Sequence, residues 1–522
     1  MNRRNHRIAL IKPPLYTDRT FGVIRTAQPL GIWQLGSYLQ AKGYDVKIID
    51  SVMEGWENKT HLESGNKFNY SLDLQRKVDF LDRHPIETFV KNYPIIDSQG
   101  KIQRKLIRTG LSGNEIIDRV RDFDPAWIGI SIIASCEHRS AIDLAKLLRK
   151  EIPDSKIVVG GQHASDMPEE VLKDAKGSID FVVKGNGELI FENLIEGKNP
   201  GRGLAYFDEG NLVIQQNAPL TPLKMLPFLN PNLLEHINYV LPSTHSYGTN
   251  GRKYTDFMAS FGCTNLCDFC RQGTIREGYR HFSLDHIREQ LKIFKKYGIE
   301  ELILQDDSLL GGSRNDGKDF FIELVKVLKE NGMYWHDNGG VEFERLDEEV
   351  VNAIISENEK PGSRCTALYI PFNPRNIHQT RVVERHQRKM PDKLKLLQKL
   401  KDTGVYTFTS GILGHVNQNC SDMQSDIEGY KILLNTGIVD QVVVFALSYL
   451  PNTIDWNFRD LIVNQKDWEG YSIFVPHAKT IKASFEEVIY YTLKAYKTLN
   501  PFQKHVQPWA SAFPPYVPGS WK

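Results

Sequence analysis

Short apolar runs alternate with amphipathic segments along the first 200 residues of the chain. Strand-like runs rich in β-branched residues cover positions 7–11, 44–49, 127–133, 156–159 and 180–183. Helical patterns of apolar positions lie between them at 30–41, 114–123, 139–150 and 188–195. This alternation predicts a doubly wound, Rossmann-like parallel sheet with helices on both faces. The long polar stretch 51–111 breaks the alternation, and we interpret it as an insertion.

A second strand–helix series follows, with apolar runs at positions 256–261, 301–305, 333–341, 366–371, 406–413 and 441–448. Six successive units predict a partial (β/α)6 barrel, in which chemistry takes place at the carboxyl ends of the strands. Positions 201–250 are rich in Pro and Asn, and we expect a linker with little regular structure. The predicted domains are therefore an α/β domain at 1–200, this linker, a barrel at 251–455 and a C-terminal extension at 456–522, with one helix near 485–499 and an aromatic tail.

The composition excludes several classes of protein. The chain has 522 residues, of which 41% are hydrophobic and 25% charged, and 65 basic residues balance 64 acidic ones. Nucleic acids and anionic membranes both reward a basic excess that this chain lacks. The longest apolar run, at 442–447, is far shorter than the roughly 20 residues that span a bilayer. We therefore expect a soluble cytoplasmic protein that acts on a small molecule, with no nucleic-acid partner and no membrane span.

Three of the six cysteines lie close together in the loop after the first strand of the second series. Cys263, Cys267 and Cys270 have the spacing C-x3-C-x2-C. Three thiolates can hold three irons of a [4Fe–4S] cluster and leave the fourth iron open to a small ligand. The alternative is a zinc site of Cys3His type, completed by His281, although structural zinc usually requires two paired knuckles.

These cysteines, with Phe269 before the last of them, resemble the signature of the radical S-adenosylmethionine (SAM) enzymes. The resemblance implies that SAM chelates the open iron and is cleaved to a 5′-deoxyadenosyl radical, with electrons from an external flavodoxin- or ferredoxin-type donor. It also implies SAM contacts from Phe269 and from Asp306 and Asp307 in the acidic turn after the second barrel strand. Asn373 and Arg375 are further SAM candidates, in a segment where many relatives have Glu-Ser-Gly.

Polar and glycine residues follow the strands of the first half, where ligands of an open parallel sheet bind. Glycines at two strand ends would let a large planar ligand approach the backbone, although tight turns alone explain them equally well. Together with the cysteine loop, these segments resemble the cobalamin-binding domain of class B radical SAM methylases. The resemblance implies cobalamin contacts from Pro14, Asp50, Glu54, Arg108, Ser131, Ser135, Gly160, Gly161, His163, Gly185, Gly187 and Glu188.

Two histidines require separate interpretation. His84 lies in a stretch that nearly spells the Asp-x-His-x-x-Gly motif of cobalamin proteins with a histidine ligand. That motif belongs directly after the first strand, whereas His84 lies in the polar insertion, so we predict a surface histidine. His163 follows the glycine pair, and we expect it to contact the corrin or its tail, or else to face solvent, rather than to ligate cobalt.

The resemblance as a whole implies a cobalamin-dependent radical SAM enzyme that methylates an unactivated carbon of a small molecule of natural-product or cofactor type. Two alternatives stay open at this point. The first is an enzyme with the same cofactors that catalyses a cyclisation or rearrangement and transfers no methyl group. The second is a corrinoid or iron–sulfur carrier without turnover of its own.

Overall fold

The computed structural model describes residues 6–18, 27–56, 59–61, 85–92, 104, 106–239, 252–265, 267–271, 278–311, 316–358, 364–372 and 390–499. Asn373, Arg375, His84 and the aromatic tail lie outside these ranges. No helix within them combines the length and the apolar character that crossing a membrane requires.

Strands and helices of the described residues are numbered here in chain order. The strands are β1 (Arg7–Lys12), β2 (Leu15–Asp18), β3 (Asp45–Asp50), β4 (Lys59–His61), β5 (Leu106–Thr109), β6 (Trp127–Ser131), β7 (Lys156–Gly160), β8 (Phe181–Val183), β9 (Leu204–Asp208), β10 (Asn211–Ile214), β11 (Tyr254–Phe257), β12 (Ser260–Phe261), β13 (Arg280–His281), β14 (Glu301–Leu304), β15 (Tyr334–Asp337), β16 (Cys365–Tyr369), β17 (Tyr406–Leu413) and β18 (Gln441–Ala446). The α-helices are α1 (Leu30–Ala41), α2 (Ser51–Glu54), α3 (Ile86–Asn92), α4 (Gly113–Phe123), α5 (His138–Glu151), α6 (Gln162–Asp166), α7 (Pro168–Ala175), α8 (Glu188–Ile195), α9 (Leu284–Lys296), α10 (Asp316–Glu330), α11 (Glu348–Asn358), α12 (Met390–Asp402), α13 (Cys420–Asn435) and α14 (Phe485–Leu499).

The first sheet has the strand order β10-β9-β8-β7-β6-β1-β3. Strands β3, β1, β6, β7 and β8 pair in parallel, which confirms the predicted doubly wound sheet. The middle of β1, from Ile8 to Ile11, is completely buried, as expected for a strand covered on both faces. Strands β4 and β5 of the polar insertion form a separate antiparallel sheet with β2, in the order β2-β5-β4.

Two strands lie inside the segment that we expected to be an irregular linker. β9 and β10 form an antiparallel hairpin, and β9 pairs with β8 at the edge of the first sheet. Glu209 and Gly210 between them have φ angles of 47° and 86°, as a type I′ turn requires. The first sheet therefore extends past residue 200, and the predicted start of the linker is wrong.

The second sheet has the order β11-β14-β15-β16-β17-β18, and every adjacent pair is parallel. This confirms the predicted six-stranded partial barrel. Its first helix, α9, begins after Ser283, whose hydroxyl accepts a hydrogen bond from the His286 amide at 3.2 Å. The predicted helix of the C-terminal extension is also present, as α14.

Apolar and polar contacts join the two sheets. The Trp33 ring of α1 lies 6.2 Å from the Phe294 ring of α9, measured between centroids. The Gln28 amide donates to the buried Asp256 carboxylate of β11 at 2.7 Å. After β18 the chain crosses back over this junction, where the Ile473 carbonyl accepts from the Ala446 amide at 2.8 Å. The space enclosed by these elements is the candidate site.

Candidate active site

The three clustered cysteines lie on the loop after β12. Each is partly exposed, and Cys267 and Cys270 line a cavity between the two halves of the protein. The loop starts at Gly262, whose φ is 83°, and a Cβ added there would lie 2.3 Å from the Gly278 carbonyl oxygen. The Cys270 amide donates to the Cys267 carbonyl at 3.0 Å. The backbone thus turns both thiols towards one space.

An acidic turn supports this loop. The buried Asp306 carboxylate accepts from the Ala259 amide at 3.2 Å and from the Ser260 hydroxyl at 2.6 Å. The Asp307 carboxylate accepts from the Gly262 amide at 2.8 Å. Burial raises the pKa of Asp306 to about 7. Neither carboxylate belongs to the cavity wall formed by the described residues. Their oxygens hold the backbone that leads into the loop, and the SAM contacts predicted for this pair stay predictions.

The thiols fit a site for a cationic group. Burial raises the pKa of Cys263 to about 11 and the pKa of Cys267 to about 12, and the charge of Cys270 raises both values further. Three thiolates at this depth are therefore costly to form unless positive charge lies among them. Iron would supply that charge, since a coordinating thiol is deprotonated by the metal it binds.

The described residues offer no ready-made site for a single zinc ion. Within the described ranges, no three His, Cys, Asp or Glu side chains surround one point as the ligands of a single ion would. Thiolates of a cluster bind different irons and so stand further apart. His281, the fourth ligand of the zinc alternative, stacks on Phe320 with ring centroids 3.9 Å apart.

The cavity has a volume of about 740 Å³ and is bounded by both sheets. Its first wall contains strand ends and following turns of the N-terminal sheet, including Lys12, Ser135 and His163. Its second wall contains the cysteine loop and the carboxyl ends of β16, β17 and β18. Phe269 lies in this wall, as expected for a SAM contact, and its ring meets that of His415 edge-on at 5.9 Å. Residues 469 and 471–475 close the space from the C-terminal side.

Gly161 lets two backbone segments meet closely at the strand ends of the first sheet. Its φ is 102°, and a Cβ added there would lie 2.4 Å from the Ile132 carbonyl oxygen. Only glycine fits so close an approach of two backbones. The predicted residues Ser131, Ser135 and His163 line the cavity beside this turn. The arrangement fits a large planar ligand such as a corrin.

A chain of hydrogen bonds runs from the cavity wall to the surface. It links the Ser135 hydroxyl to His163 Nδ1 at 2.9 Å, His163 Nε2 to His138 Nδ1 at 2.9 Å, and His138 Nε2 to the Asp174 carboxylate at 3.0 Å. Because the carboxylate accepts, His138 donates to it, and His163 must then donate to His138. Burial lowers the pKa of both histidines and keeps them neutral. His163 is thus not the solvent-facing histidine of the alternative interpretation; its contact with a corrin stays a prediction.

Two other predicted cobalamin residues, Asp50 and Glu54, bind other residues of the protein. The fully buried Asp50 carboxylate accepts from the Tyr239 hydroxyl at 2.9 Å and lies 3.2 Å from Lys12 Nζ. It also accepts from the first backbone amides of α2, so its oxygens are occupied. Glu54 forms an ion pair with Arg119 at 2.9 Å. Neither lines the cavity within the described ranges, and their cobalamin contacts stay predictions.

The other predicted cobalamin residues lie at or behind the cavity wall. Pro13 lines the cavity in place of Pro14, and Arg108 pairs in register with the cavity residue Tyr16. The Glu188 carboxylate accepts from the Thr221 hydroxyl at 2.9 Å. Gly160, Gly161, Gly185 and Gly187 do not belong to the wall that the described residues form. Cobalamin contacts of these positions stay predictions.

Sequence analysis did not identify several residues that join the two walls. The Arg271 guanidinium donates to both carboxylate oxygens of Asp166, each at 2.5 Å. Trp468 of the C-terminal extension stacks on His138, with ring centroids 4.6 Å apart. Arg271 follows Cys270 directly, and that position could have drawn attention to it. No local pattern marks Asp166 or Trp468, because their partners lie far away in the chain.

Comparison with known proteins supports the resemblance that the motifs indicate. Residues 103–195 match the B12 binding domain. The chain is 26% identical over 385 residues to a cytidylyl-2-hydroxyethylphosphonate methyltransferase of Streptomyces wedmorensis, covering 67% of this chain and 63% of the relative. It is 21% identical over 324 residues to the cobalamin-dependent radical SAM methyltransferase TokK of Streptomyces tokunonensis, covering 60% and 46%. These similarities support the resemblance to cobalamin-binding radical SAM enzymes. They also support a [4Fe–4S] cluster, SAM and cobalamin as the cofactors, as expected.

The chain is also similar to a cyclase and to a solved structure. The chain is 24% identical over 389 residues to an anaerobic magnesium-protoporphyrin IX monomethyl ester cyclase of Rubrivivax gelatinosus, covering 71% of this chain and 64% of the relative. The fold resembles the solved structure of the radical SAM methyltransferase TsrM from Kitasatospora setae, with a TM-score of 0.55 and 12% identity, covering 86% of this chain and 75% of that one. All three curated relatives named here extend well beyond the matched region, since it spans less than two thirds of each.

The buried His477 behind the cavity should make the folded protein less stable as the pH decreases. Its ring lies 4.8 Å from that of Tyr471, and burial, assisted by the charge of Arg104, lowers its pKa to about 3. Below the unfolded value of about 6.5, only the unfolded state binds a proton there, so stability falls as the pH decreases towards 3. Replacing His477 by Phe should therefore remove about 1.4 kcal/mol of destabilisation per pH unit.

The measurement is urea unfolding of the wild type and the His477→Phe variant at pH 7.5, 6 and 5. Buried carboxyl groups such as Asp306 act in the opposite direction, because burial raises their pKa. For that reason the prediction concerns the difference between the two proteins. Equal pH slopes of their unfolding free energies would contradict it.

Proposed function

We propose that this protein methylates an unactivated carbon of a small molecule. The observation that carries the proposal is that one cavity is lined both by Cys267 and Cys270 and by the corrin-side residues Ser135 and His163. When bound, the cluster and SAM supply a radical that removes a hydrogen atom from carbon, and cobalamin supplies the methyl group that replaces it. A substrate between the two walls would face both the cysteine loop and the corrin-side residues.

The barrel wall is suited to hold an organic substrate away from water. Phe343 and Phe372 stack with centroids 4.4 Å apart, and Phe445 and Phe474 meet edge-on at 5.3 Å. All four rings line the cavity. Apolar walls with a few polar groups are typical of small-molecule sites, and they limit quenching of a reactive carbon by solvent.

The proposal is tested without knowledge of the substrate. Anaerobically reconstituted enzyme, with iron and cobalamin verified, is reduced and incubated with SAM that carries a deuterated methyl group. A methylase should form both 5′-deoxyadenosine, from cleavage of SAM, and S-adenosylhomocysteine with deuterated methylcobalamin, from transfer of the labelled methyl. Mass spectrometry measures all three products.

The two alternatives give different results in the same experiment. An enzyme that cyclises or rearranges its substrate, as the similarity to a cyclase would allow, should give 5′-deoxyadenosine without labelled methylcobalamin. A carrier should give neither product although both cofactors are bound. We place the reaction in the cytoplasm, with electrons from a flavodoxin- or ferredoxin-type protein, because a cluster with an open iron requires a reducing environment.

A further inference from the structure

A buried ion pair connects the cysteine loop directly to the cobalamin-binding half. Arg271 Nε and one terminal nitrogen each donate to a different oxygen of Asp166, both at 2.5 Å. The two side chains are only 9% and 6% exposed, and both line the cavity. A bidentate pair fixes orientation as well as distance. Because desolvation offsets most of its attraction, such a buried pair contributes little net stability, and its main effect is geometric.

Asp166 is rigidly attached to the corrin-side turn. It ends α6, the short helix that begins one residue after Gly161. The Ser165 hydroxyl donates to the Gly161 carbonyl at 2.8 Å and accepts from the Gly185 amide at 3.0 Å. The last turn of α6 is therefore tied to two strand ends of the first sheet. A shift of Asp166 would move the turn that carries His163.

Arg271 is equally close to the cluster ligands, since it is bonded to Cys270. A third element joins the pair, because Asn452, in the turn after β18, donates to Asp166 at 3.2 Å. The same segment binds the cysteine loop a second time, through the Asp455 amide and the Asp268 carbonyl at 3.0 Å. One carboxylate thus meets the cysteine loop, the end of the barrel and the corrin-side turn.

We propose that the Arg271–Asp166 pair is a positioning element that sets the separation between the cluster and the cobalt, and so couples cleavage of SAM to methylation of cobalamin. This inference rests on the proposed function for its second part only. SAM cleavage needs the barrel alone, whereas methyl transfer to cobalt needs both walls in register. Loss of the pair should therefore leave the cleavage of SAM unchanged and impair methyl transfer to cobalt.

The test uses the full-length holoenzyme and the variants Asp166→Asn and Arg271→Lys. Pulsed dipolar EPR between cob(II)alamin and the reduced cluster reports the distribution of their separation, independently of activity. Both variants should broaden that distribution. They should also lower the ratio of labelled methylcobalamin to 5′-deoxyadenosine by about 10-fold or more, since misplacement of about 1 Å can cost 100-fold.

Arg252→Lys is the matched control. Arg252 Nε donates to the buried Glu301 carboxylate at 2.9 Å, so the variant perturbs a comparable pair that lies wholly within the barrel. It should keep the wild-type distribution and ratio. A wild-type distribution in both Asp166→Asn and Arg271→Lys would overturn the proposal. So would failure of both to fold while the control folds, because the pair would then be a requirement for folding.

The outcomes also separate this inference from the proposed function. If the wild type forms no labelled methylcobalamin, methylation is wrong, but the EPR distributions still test the positioning role. If the wild type methylates cobalamin and the two variants match it in both measurements, the function stands and the positioning role is wrong.

Discussion

Replacing Cys267 by Ala is expected to abolish the [4Fe–4S] absorbance and all cleavage of SAM, while cobalamin still binds. Cys267 is the middle cysteine of the loop and lines the cavity. A cluster held by three protein thiolates has no spare ligand, so loss of one should prevent its assembly. The corrin-side turn at Gly161 belongs to the other sheet and does not depend on the thiol. Reconstitution with iron and sulfide, followed by absorbance and product analysis, measures the effect.

Cys420→Ala is a suitable control for this experiment. Cys420 begins α13, and its thiol is not part of the cavity wall in the described structure. The control should keep the cluster, SAM cleavage and cobalamin binding. Cleavage of SAM by the Cys267 variant at the rate of this control would show that the cluster has been assigned to the wrong residues.

Replacing Gly161 by Ala is expected to have the second-largest effect, a loss of cobalamin binding with an intact cluster. A left-handed φ costs about 1–2 kcal/mol for a residue with a Cβ. The added Cβ would also lie 2.4 Å from the Ile132 carbonyl oxygen, which accepts a hydrogen bond from the His163 amide at 3.1 Å. The backbone must therefore shift where the corrin is expected to lie. Titration with hydroxocobalamin should show an affinity at least about 100-fold lower, the scale that 2–3 kcal/mol implies.

Gly177→Ala separates strain from the local clash. Gly177 has a φ of 82°, but an added Cβ would meet no atom within 4 Å. This variant should have a similar backbone strain without the clash, and it should keep its affinity for cobalamin. Equal affinities of the two variants would mean that the Gly160–Gly161 turn is not part of the corrin site.

Local signals explain why much of the architecture is predictable from the sequence. The six barrel strands and the helices between them follow from apolar periodicity, since each unit buries a face that its own residues define. The hairpin of β9 and β10 is not predicted, because its two short strands come directly before the Pro-rich stretch that indicates a linker. The Asp-Glu-Gly-Asn run at 208–211 was nevertheless a usable turn signal.

Individual ligand residues are harder to predict from the sequence than the fold, for a physical reason. Asp50 and Asp306 come at strand ends, where ligands bind, but a carboxylate at such a position can equally accept backbone amides. Both do so, at α2 and at the start of the cysteine loop. A local motif does not distinguish these roles, because the competing donors come from other parts of the chain.

The sequence by itself determined the two α/β halves, the three clustered thiols and the family to which they point, since periodicity and spacing are local properties. Only the tertiary structure decided which side chains face the shared cavity. The Arg271–Asp166 pair joins residues 105 positions apart, and His138, in the hydrogen-bond chain behind His163, stacks on Trp468 of the C-terminal extension. Such contacts depend on how the two sheets pack, and no periodic pattern along the chain encodes that packing.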